Sequence, residues 1–327
     1  MKPNNPLTSL LNPTFAPVLI LLLLAAVLGL TDPRILSPGN LLTISIAAVP
    51  IVLVALATMV TLVSGGIDLS VGNLVTFLCI TLATVLTATT SLPLALAAGL
   101  LTALAVGAVN GALVGLLRIP PFIATLATMI ALQGATLYFA QAGVLIVKEP
   151  VLRVLGQGAF LGVPMLIVYA LAAGVVAMLV MRHTPFGLRI YAVGSDADAV
   201  ALSGVPVARI RFFTYLLASV FAFLCSIALI GRVPIVTATM GGTSLLLDGF
   251  SAAVLGGVSI FGGRGTVLGV FCGALAISLI TAATQVFGVD PAAIGLIKGM
   301  IVLMALATDR GLQWLSRRYS LPKANAA

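Results

Sequence analysis

The stretch LVSGGIDLSVGNLV, residues Leu62–Val75, interrupts an almost continuous apolar run that extends from Leu41 to Leu137. It contains three glycines, two serines, an asparagine and Asp68, which is the only acidic residue of that run. Glycine pairs are typical of helix ends, and the flanking sequence is long and apolar enough for membrane helices. The stretch therefore predicts a break between two helices of a membrane-spanning chain.

Composition indicates the class of protein. Of the 327 residues, 61% are hydrophobic and 7% are charged, whereas about a quarter are charged in a soluble domain. Many apolar stretches have about 20 residues, the length that crosses a hydrocarbon layer of about 30 Å. The net charge of +8 would also suit a nucleic-acid-binding protein, but the basic residues flank hydrophobic spans, as in membrane proteins. The sequence predicts an all-α polytopic membrane protein that contacts lipid and not nucleic acid.

The hydropathy pattern predicts about ten transmembrane helices within a single domain, residues 1–327. They are Phe15–Leu30, Leu41–Val63, Val71–Ala88, Pro93–Leu117, Pro121–Ala140, Val163–Met181, Phe212–Ile230, Leu245–Phe261, Thr266–Phe287 and Pro291–Ala307. The eighth span is short and interrupted by glycine, so we expect broken or re-entrant backbone over 241–264, as over 64–72. The basic residues lie mainly in loops that this topology puts in the cytoplasm, which predicts cytoplasmic termini.

A weak internal repeat is present. Two spans carry GxxxGxxxG ladders: Gly107, Gly111 and Gly115 in the fourth, and Gly265, Gly269 and Gly273 in the ninth. Because five spans separate the ladders, two five-helix units of opposite orientation are one interpretation. Glycine ladders are also common in membrane helices, so a chance match is the alternative.

The segment 182–211 is the longest polar excursion, and the topology predicts that it is cytoplasmic. Ser195 and Asp198 have the spacing of a capping box, which predicts a short helix over 196–203 that ends at Gly204. Its apolar residues are small and its rim is acidic, so we expect it to dock on a partner protein. A connecting helix on the membrane surface is the alternative.

The remaining polar residues suggest a transport role without catalysis. The three cysteines are far apart, and His183 has no sequence neighbour suited to catalysis or metal binding, so we expect no enzyme activity, no metal site and no cofactor in this chain. Asp68 reads as the N-cap of the next helix, bonded to the N–H groups of Ser70 and Val71, and not as a proton relay. Asp248 is predicted near the outer boundary. Gln133 and Gln285 lie on predicted spans with no spacing that indicates a role.

Four motifs resemble a known family. They are SGGIDLSVG (residues 64–72), PPFIATLATM (120–129), TPFGLRIYAVGSDADAVALSGV (184–205) and LGGVSIFGGRGTVLG (255–269). In this order they resemble the permease subunits of ribose-type bacterial ABC importers, a family that also contains branched-chain amino acid permeases. The resemblance implies an inner-membrane dimer, either a homodimer or a heterodimer. It also implies a periplasmic sugar-binding protein and a cytoplasmic double-cassette ATPase that binds ATP and Mg²⁺.

The resemblance also implies site residues. The family's ATPase-coupling segment corresponds to Tyr191, Gly194, Ser195, Asp196, Asp198, Ser203 and Gly204, with Gly194 as its turn. The motifs indicate helix breaks or translocation-path positions at Gly65, Gly66, Asp68, Ser70, Phe122, Thr125, Asp248, Gly256 and Gly257. The region around Asp248 departs from the commoner family pattern, which leaves the sugar subgroup open, while GGIDLSVG favours a sugar over a branched-chain amino acid.

Two classes of transporter remain open at this point. The chain has no GxxxxGK[ST] phosphate loop, so an ABC permease would take its energy from a separate ATPase. A ribose-like monosaccharide or related polyol would be its substrate. The alternative is an ion-coupled secondary transporter or channel for a small polar solute, which would need buried acidic or histidine residues. Asp68 is the one candidate for that role.

Overall fold

A computed structural model describes residues 15–140 and 143–290, together with residues 293, 295, 296, 299 and 300. Its helices are α1 (Ala16–Thr31), α2 (Pro38–Val63), α3 (Val71–Thr89), α4 (Leu92–Gly111), α5 (Pro121–Ala140), α6 (Pro150–Gln157), α7 (Met165–His183), α8 (Pro185–Ser195), α9 (Ala197–Leu202), α10 (Val207–Arg232), α11 (Gly242–Leu255) and α12 (Val267–Val286). A 3₁₀ turn, Pro33–Leu36, precedes α2, and α4 continues as a π-helical turn, Ala112–Leu116.

Most predicted spans correspond to helices. Among the described residues, seven helices are long and apolar enough to cross a membrane: α2, α3, α4 with its π turn, α5, α7, α10 and α12. The prediction of an all-α polytopic membrane protein is therefore confirmed. The helices at the predicted first and eighth spans, α1 and α11, contain 16 and 14 residues, fewer than a straight crossing requires. The predicted tenth span, Pro291–Ala307, lies outside the described residues apart from the five isolated positions.

Helix α2 lies at the centre of the bundle. It packs against α7, α10, α11 and α12, while α10 also contacts α3, α4 and α6. Most of α2 is buried by protein, including Leu53, Leu56 and Met59, none of which is exposed. A helix that is apolar on all sides and covered by other helices belongs to the interior of a membrane bundle. Helices α2 and α10 therefore form the core around which the other spans are arranged.

The two ends of the bundle differ. We call the end at which α2 ends at Val63 the lower end, and the opposite one, at which α3 ends at Thr89, the upper end. The upper end carries α6 and two small antiparallel pairs of strands: β1 (Leu145–Ile146) with β4 (Ile235–Val236), and β2 (Ala159–Phe160) with β3 (Val163–Pro164). The sequence did not predict these strands. The lower end carries α8 and α9, which lie within the predicted cytoplasmic segment.

The glycine ladders are sites of close helix packing. A Cβ atom on Gly111 or on Gly115 would lie 2.6 Å from a carbonyl oxygen of α10. On α12, a Cβ atom on Gly273 would overlap the carbonyl oxygen of Ala252 in α11. Gly265 precedes α12, so the second ladder is only partly helical. Small residues let membrane helices approach closely, where lipid provides no hydrophobic force for association.

The inverted repeat stays a prediction. Helices α2 and α10 each contain 26 residues, and each is followed by a non-helical segment and a second helix, which is the order that a repeat requires. The helix that would correspond to α5 falls at the predicted span Pro291–Ala307, outside the described residues.

Gly111→Ala is expected to lower the unfolding temperature of the detergent-purified protein. The added Cβ would lie 2.6 Å from the carbonyl oxygen of Phe212, and overpacking of this kind costs about 1–3 kcal/mol. Gly134→Ala in α5 is the matched control, because nothing lies within 4 Å of its Cβ position. Thermal unfolding of both variants measures the difference. An unfolding temperature of Gly111→Ala equal to that of Gly134→Ala would contradict this packing.

Candidate functional site

Residues 64–70 form the break between α2 and α3. Gly65 has a φ of +77°, a conformation that glycine adopts without a steric penalty. The N–H of Gly66 donates to the carbonyl oxygen of Thr61 over 3.0 Å, which ends α2. The chain then continues without helical structure until α3 begins at Val71. The predicted break is therefore present, and it lies among packed helices.

Asp68 supports the entry to α3. Its side chain is buried, and its Oδ1 accepts hydrogen bonds from the N–H of Ser70 over 2.8 Å and from the hydroxyl of Ser70 over 2.6 Å. The predicted hydrogen bond from the Ser70 N–H is therefore present, but the N-cap of α3 is Ser70, so the interpretation of Asp68 as the N-cap itself is wrong by two residues. The local reason is that Asp side chains readily bond the backbone two residues ahead and stabilise a turn.

Side chains from other helices satisfy the backbone of the break. The hydroxyl of Tyr215 in α10 donates to the carbonyl oxygen of Ile67 over 3.1 Å. The hydroxyl oxygen of Thr125 in α5 accepts from the N–H of Leu69 over 3.2 Å and lies 3.3 Å from the same Ile67 oxygen. Thr125 is thus next to the break, as predicted. Phe122 lies one turn earlier on α5, and about half of it is exposed.

A buried polar chain extends from the break into α4 and α5. The side-chain amide of Asn110 donates to the hydroxyl oxygen of Ser70 over 2.8 Å, and the hydroxyl of Thr128 donates to Asn110 Oδ1 over 2.7 Å. Asn110 is almost completely buried. Neither residue was predicted from the sequence, although a lone asparagine among the glycines of a membrane helix is the kind of signal that indicates a buried polar contact.

The second break follows α11. This helix ends at Leu255, and the chain turns through Gly256 and Gly257, the latter with a φ of +81°, before α12 begins. Residues 256–264 are thus broken as predicted, but most of 242–255 is a regular helix. Asp248 lies in the middle of that helix, beside Gly249, whose Cβ position is 2.5 Å from Val54 in α2. The prediction that Asp248 lies near the outer boundary is wrong, because its helix begins within the bundle.

The last turn of α8 meets the turn after α2 and the turn after α11 at the lower end. The contact involves four glycines, Gly65, Gly194, Gly262 and Gly263, which we call the glycine junction. A Cβ on Gly194 would overlap the carbonyl oxygen of Val63 at the end of α2, and one on Gly262 would lie 2.5 Å from the carbonyl oxygen of Gly194. The N–H of Gly263 donates to the same Val63 oxygen over 2.9 Å. Helix α8 therefore contacts both helix breaks through backbone atoms.

Tyr191 adds a side-chain link between α8 and the second break. Its hydroxyl donates to the carbonyl oxygen of Gly265 over 2.8 Å. Burial raises the pKa of the Tyr191 phenol, so the donor proton stays in place at neutral pH. Gly194 lies inside α8, and its prediction as the turn of the coupling segment is wrong, because the helix ends only at Ser195.

Helix α9 forms the exposed part of the coupling segment. Asp196 is its N-cap and accepts from the N–H groups of Asp198 and Ala199 over 3.1 and 2.9 Å. The predicted capping box on Ser195 is wrong, because the Ser195 hydroxyl donates to the backbone carbonyl oxygen of Tyr191 over 2.9 Å and does not cap α9. After Ser203, Gly204 has a φ of +81° and ends the helix as predicted. Asp198 and Ser203 are exposed at the two ends of this short helix.

A polar cavity of about 250 Å³ lies between α3, α5 and the segment that leads into α11. It is lined by Asn73, Thr76, Gln133, Thr136, Ala238, Thr239, Gly241, Gly242, Thr243 and Ser244. This cavity was not predicted from the sequence. The sequence feature that could have indicated the cavity is the spacing of Asn73 and Thr76, and of Gln133 and Thr136, because residues three apart share one helix face.

The acidic side chains of these features, Asp68 and Asp196, accept hydrogen bonds from nearby residues of the chain. The ion pair between Arg34 and Asp32, 2.6 Å long, lies in the turn between α1 and α2, where the hydrogen bond from Arg34 lowers the pKa of Asp32. Within residues 15–140 and 143–290, no group of three or more His, Cys, Asp and Glu residues could hold a metal ion. The site is built mainly from backbone groups, hydroxyls and amides.

Asp68→Asn is expected to retain most transport, because the amide oxygen can accept the same two hydrogen bonds. Asp68→Leu removes the acceptor and leaves the Ser70 groups unsatisfied, at a cost of about 1–3 kcal/mol. Membrane abundance, unfolding temperature and solute uptake of both variants provide the measurement. Loss of uptake in a normally folded Asp68→Asn protein would show that the negative charge itself is required.

Comparison with known proteins supports these features. The family described as branched-chain amino acid transport system, permease component, matches residues 40–306. A ribose import permease protein of Bacillus subtilis is 31% identical over 90% of this chain and 92% of its own. An L-arabinose ABC transporter permease protein of Azospirillum brasilense is 34% identical over 90% of this chain and 86% of its own. A fructose import permease protein of Rhizobium meliloti is 30% identical over 94% of this chain and 87% of its own.

No solved structure matches the chain. The sequence relationship nevertheless extends over nearly the whole chain and includes both helix breaks and the coupling segment. The multi-pass helical bundle is of the kind that a permease requires. The chain therefore belongs to the family of ABC transporter permeases that includes the ribose-type sugar permeases and the branched-chain amino acid permeases.

Proposed function

We propose that this permease is the membrane subunit of an ABC importer that carries a ribose-like monosaccharide or related polyol across the bacterial inner membrane. Relatives named for the import of ribose, arabinose and fructose support the substrate class. A separate cytoplasmic ATPase with two cassettes binds ATP and Mg²⁺ and drives alternating access. The observation that carries this proposal is the glycine junction, which joins an exposed surface helix to both helix breaks.

The first step is docking of the ATPase on α9. This helix is held on one side by the Asp196 cap and on the other by the Gly204 turn, so it keeps its shape while most of its surface is exposed. Leu202 is 91% exposed at its end. A large apolar side chain at this level of exposure, beside exposed acids, favours a protein partner over lipid headgroups.

The second step is transmission from α9 to the membrane helices. Helix α8 follows the motion of α9 because a single cap residue, Asp196, joins them. At Gly194, backbone touches backbone, so no flexible side chain absorbs a displacement. A shift of α8 therefore moves the end of α2 and the turn before α12 together, and both lead into the membrane.

The distribution of basic residues favours a cytoplasmic lower end. The lower end carries Arg118, Arg182, Arg189, Arg209, Arg211 and Arg264, and the upper end carries Arg34, Lys148, Arg153 and Arg232. By the positive-inside rule the ATPase side is the lower end, and both termini are cytoplasmic. The periplasmic sugar-binding protein would then dock at the upper end. A second permease subunit, identical or paralogous, completes the importer.

An ion-coupled transporter remains the competing function. Its best candidate residue is Asp68. The Oδ1 atom of Asp68 already accepts two hydrogen bonds from Ser70. That arrangement suits a structural acceptor better than a group that binds and releases protons in each cycle. The observation favours the ATP-driven importer.

Reconstituted uptake tests the proposed function. The permease, with its ATPase and binding protein in proteoliposomes, is expected to accumulate at least one of ¹⁴C-labelled D-ribose, L-arabinose and D-fructose in an ATP-dependent manner. A protonophore at constant ATP should leave uptake unchanged, because no ion gradient is used. Uptake without ATP, or its collapse with the protonophore, would favour the ion-coupled transporter.

Leu202→Asp is expected to abolish co-purification of the ATPase, since a charge would replace the exposed apolar end of α9. Leu161→Asp is the matched control, because Leu161 is 90% exposed but lies in the hairpin at the upper end. Affinity purification of each variant with the ATPase measures the difference. Equal ATPase recovery with both variants would contradict docking on α9.

Tyr191→Phe and Gly194→Ala separate transmission from docking. Both should retain the ATPase, while the amount of sugar transported per ATP hydrolysed falls. We expect about a fivefold decrease for Tyr191→Phe, from one lost hydrogen bond of about 1 kcal/mol, and a larger one for Gly194→Ala. Simultaneous uptake and phosphate-release measurements give this ratio. A wild-type ratio in both variants would exclude the glycine junction as the connection.

A further inference from the structure

We propose that the polar cavity between α3, α5 and the start of α11 is a binding subsite for a neutral polyhydroxylated solute within the translocation path. The proposal rests on the proposed importer function and assigns the residues that contact the sugar inside the membrane. They are Asn73, Thr76, Gln133, Thr136, Thr239, Thr243 and Ser244, all of which line the cavity.

The cavity lies within the depth of the membrane. Helix α11 runs beside α2, with Gly249 against Val54 near the middle of α2. Its first residue, Gly242, is seven residues earlier, which is about 10 Å at 1.5 Å per residue. This distance is smaller than half of a hydrocarbon layer of about 30 Å. The helix start and the cavity beside it are therefore below the membrane surface.

The wall between α3 and α11 is held in shape by direct hydrogen bonds. The hydroxyl of Thr76 donates to the carbonyl oxygen of Met240 over 2.8 Å and accepts from the N–H of Gly242 over 2.8 Å. On the other side, the amide of Asn73 donates to the carbonyl oxygen of Met129 over 3.0 Å. A wall fixed in this way is preorganised, so a solute need not order it on binding.

The lining suits a neutral sugar. Two amides and five hydroxyls offer both donors and acceptors, and no charged side chain lines the cavity. Helix α11 begins there with Gly241 as its N-cap and no side-chain cap, so the N–H groups that follow Gly242 in its first turn can also serve sugar hydroxyls. A phosphorylated sugar would lack the Arg or Lys that phosphate sites usually provide. The volume of about 250 Å³ suits a small solute.

Exposure shows which way the cavity opens. Gln133, Thr243 and Ser244 are exposed although they lie on helices of the membrane bundle. Amides and hydroxyls without partners in hydrocarbon are costly, so this side of the permease faces a water-filled passage or the second permease subunit. The solute path therefore runs along this side of the molecule.

The cavity lies against the helices that border the two breaks, α3 after the first and α11 before the second. Asn73 lies one turn beyond Ser70 at the first break, and Thr76 is bonded to the segment before α11. A displacement that starts at the glycine junction changes the separation of these two walls. The subsite can thus hold the sugar in one state and release it in the other.

Gln133→Leu tests the subsite in the reconstituted complex. At a sugar concentration below saturation, we expect uptake to fall at least tenfold with unchanged ATPase binding and unfolding temperature. Gln285→Leu, the same change on an exposed face of α12 outside the cavity, should stay within twofold of wild type. Gln133→Leu with wild-type uptake would overturn the proposal.

Cysteine labelling gives an independent readout. The native Cys79, Cys225 and Cys272 are buried, so Ser244→Cys should be the main target of a membrane-impermeant thiol reagent. The sugar that the wild type takes up, added without a ¹⁴C label, should slow the reaction of the thiol reagent at least threefold. D-ribose 5-phosphate should not slow it. Leu161→Cys at the upper end should show no protection.

The outcomes separate the two levels of the proposal. Normal uptake by the wild type, with no protection at Ser244→Cys or with equal protection by the sugar phosphate, overturns the neutral subsite and leaves the importer function standing. A wild-type complex that takes up none of the three sugars overturns the proposed function, and the subsite with it.

Discussion

The structure depends on one constraint, which is that backbone polar groups in a membrane must find partners within the protein. The break at residues 64–70 exposes N–H and carbonyl groups that a continuous helix would satisfy itself. Tyr215 and Thr125 bond to Ile67 and Leu69, and Asn110 bonds to Ser70. These partners come from α4, α5 and α10, so a local interruption determines how three other helices pack around it.

Glycine serves two purposes in this permease, and both follow from the missing Cβ. At Gly65 and Gly257 it allows a left-handed backbone, which ends a helix within a short distance. At Gly194 it removes the atoms that would separate α8 from the end of α2. The first use creates breaks in membrane helices, and the second connects those breaks to the surface.

The polar groups around the cavity are mainly side chains, whereas those of the glycine junction are backbone groups. The hydroxyls and amides around the cavity lie on helix faces three residues apart, and neutral groups of this kind bind a solute without the cost of burying a charge. Specific recognition can then reside in a separate binding protein, while the permease needs only moderate affinity for release. A modest, uncharged cavity lined by neutral amides and hydroxyls is consistent with that division.

Local patterns were sufficient to predict much of the fold. Seven of the ten spans predicted from apolar length correspond to long helices among the described residues, Gly65 and Gly66 marked the first break, and Gly204 marked the end of α9. The same approach misplaced the caps of α3 and α9 by one or two residues, because several nearby side chains can bond the same N–H groups. It also placed Asp248 near the boundary, since hydropathy does not reveal that α11 begins inside the bundle.

By itself, the sequence determined the membrane class, the positions of the breaks and the family, because these follow from composition, from local glycine chemistry and from motifs within short stretches. Only the tertiary structure decided that Thr125 and Tyr215 hold the first break, that Gly194 meets Val63, and that Asn73 and Gln133 face one cavity. The physical reason is that these contacts join residues far apart along the chain. Their free energy depends on how the helices pack, and no local pattern contains that information.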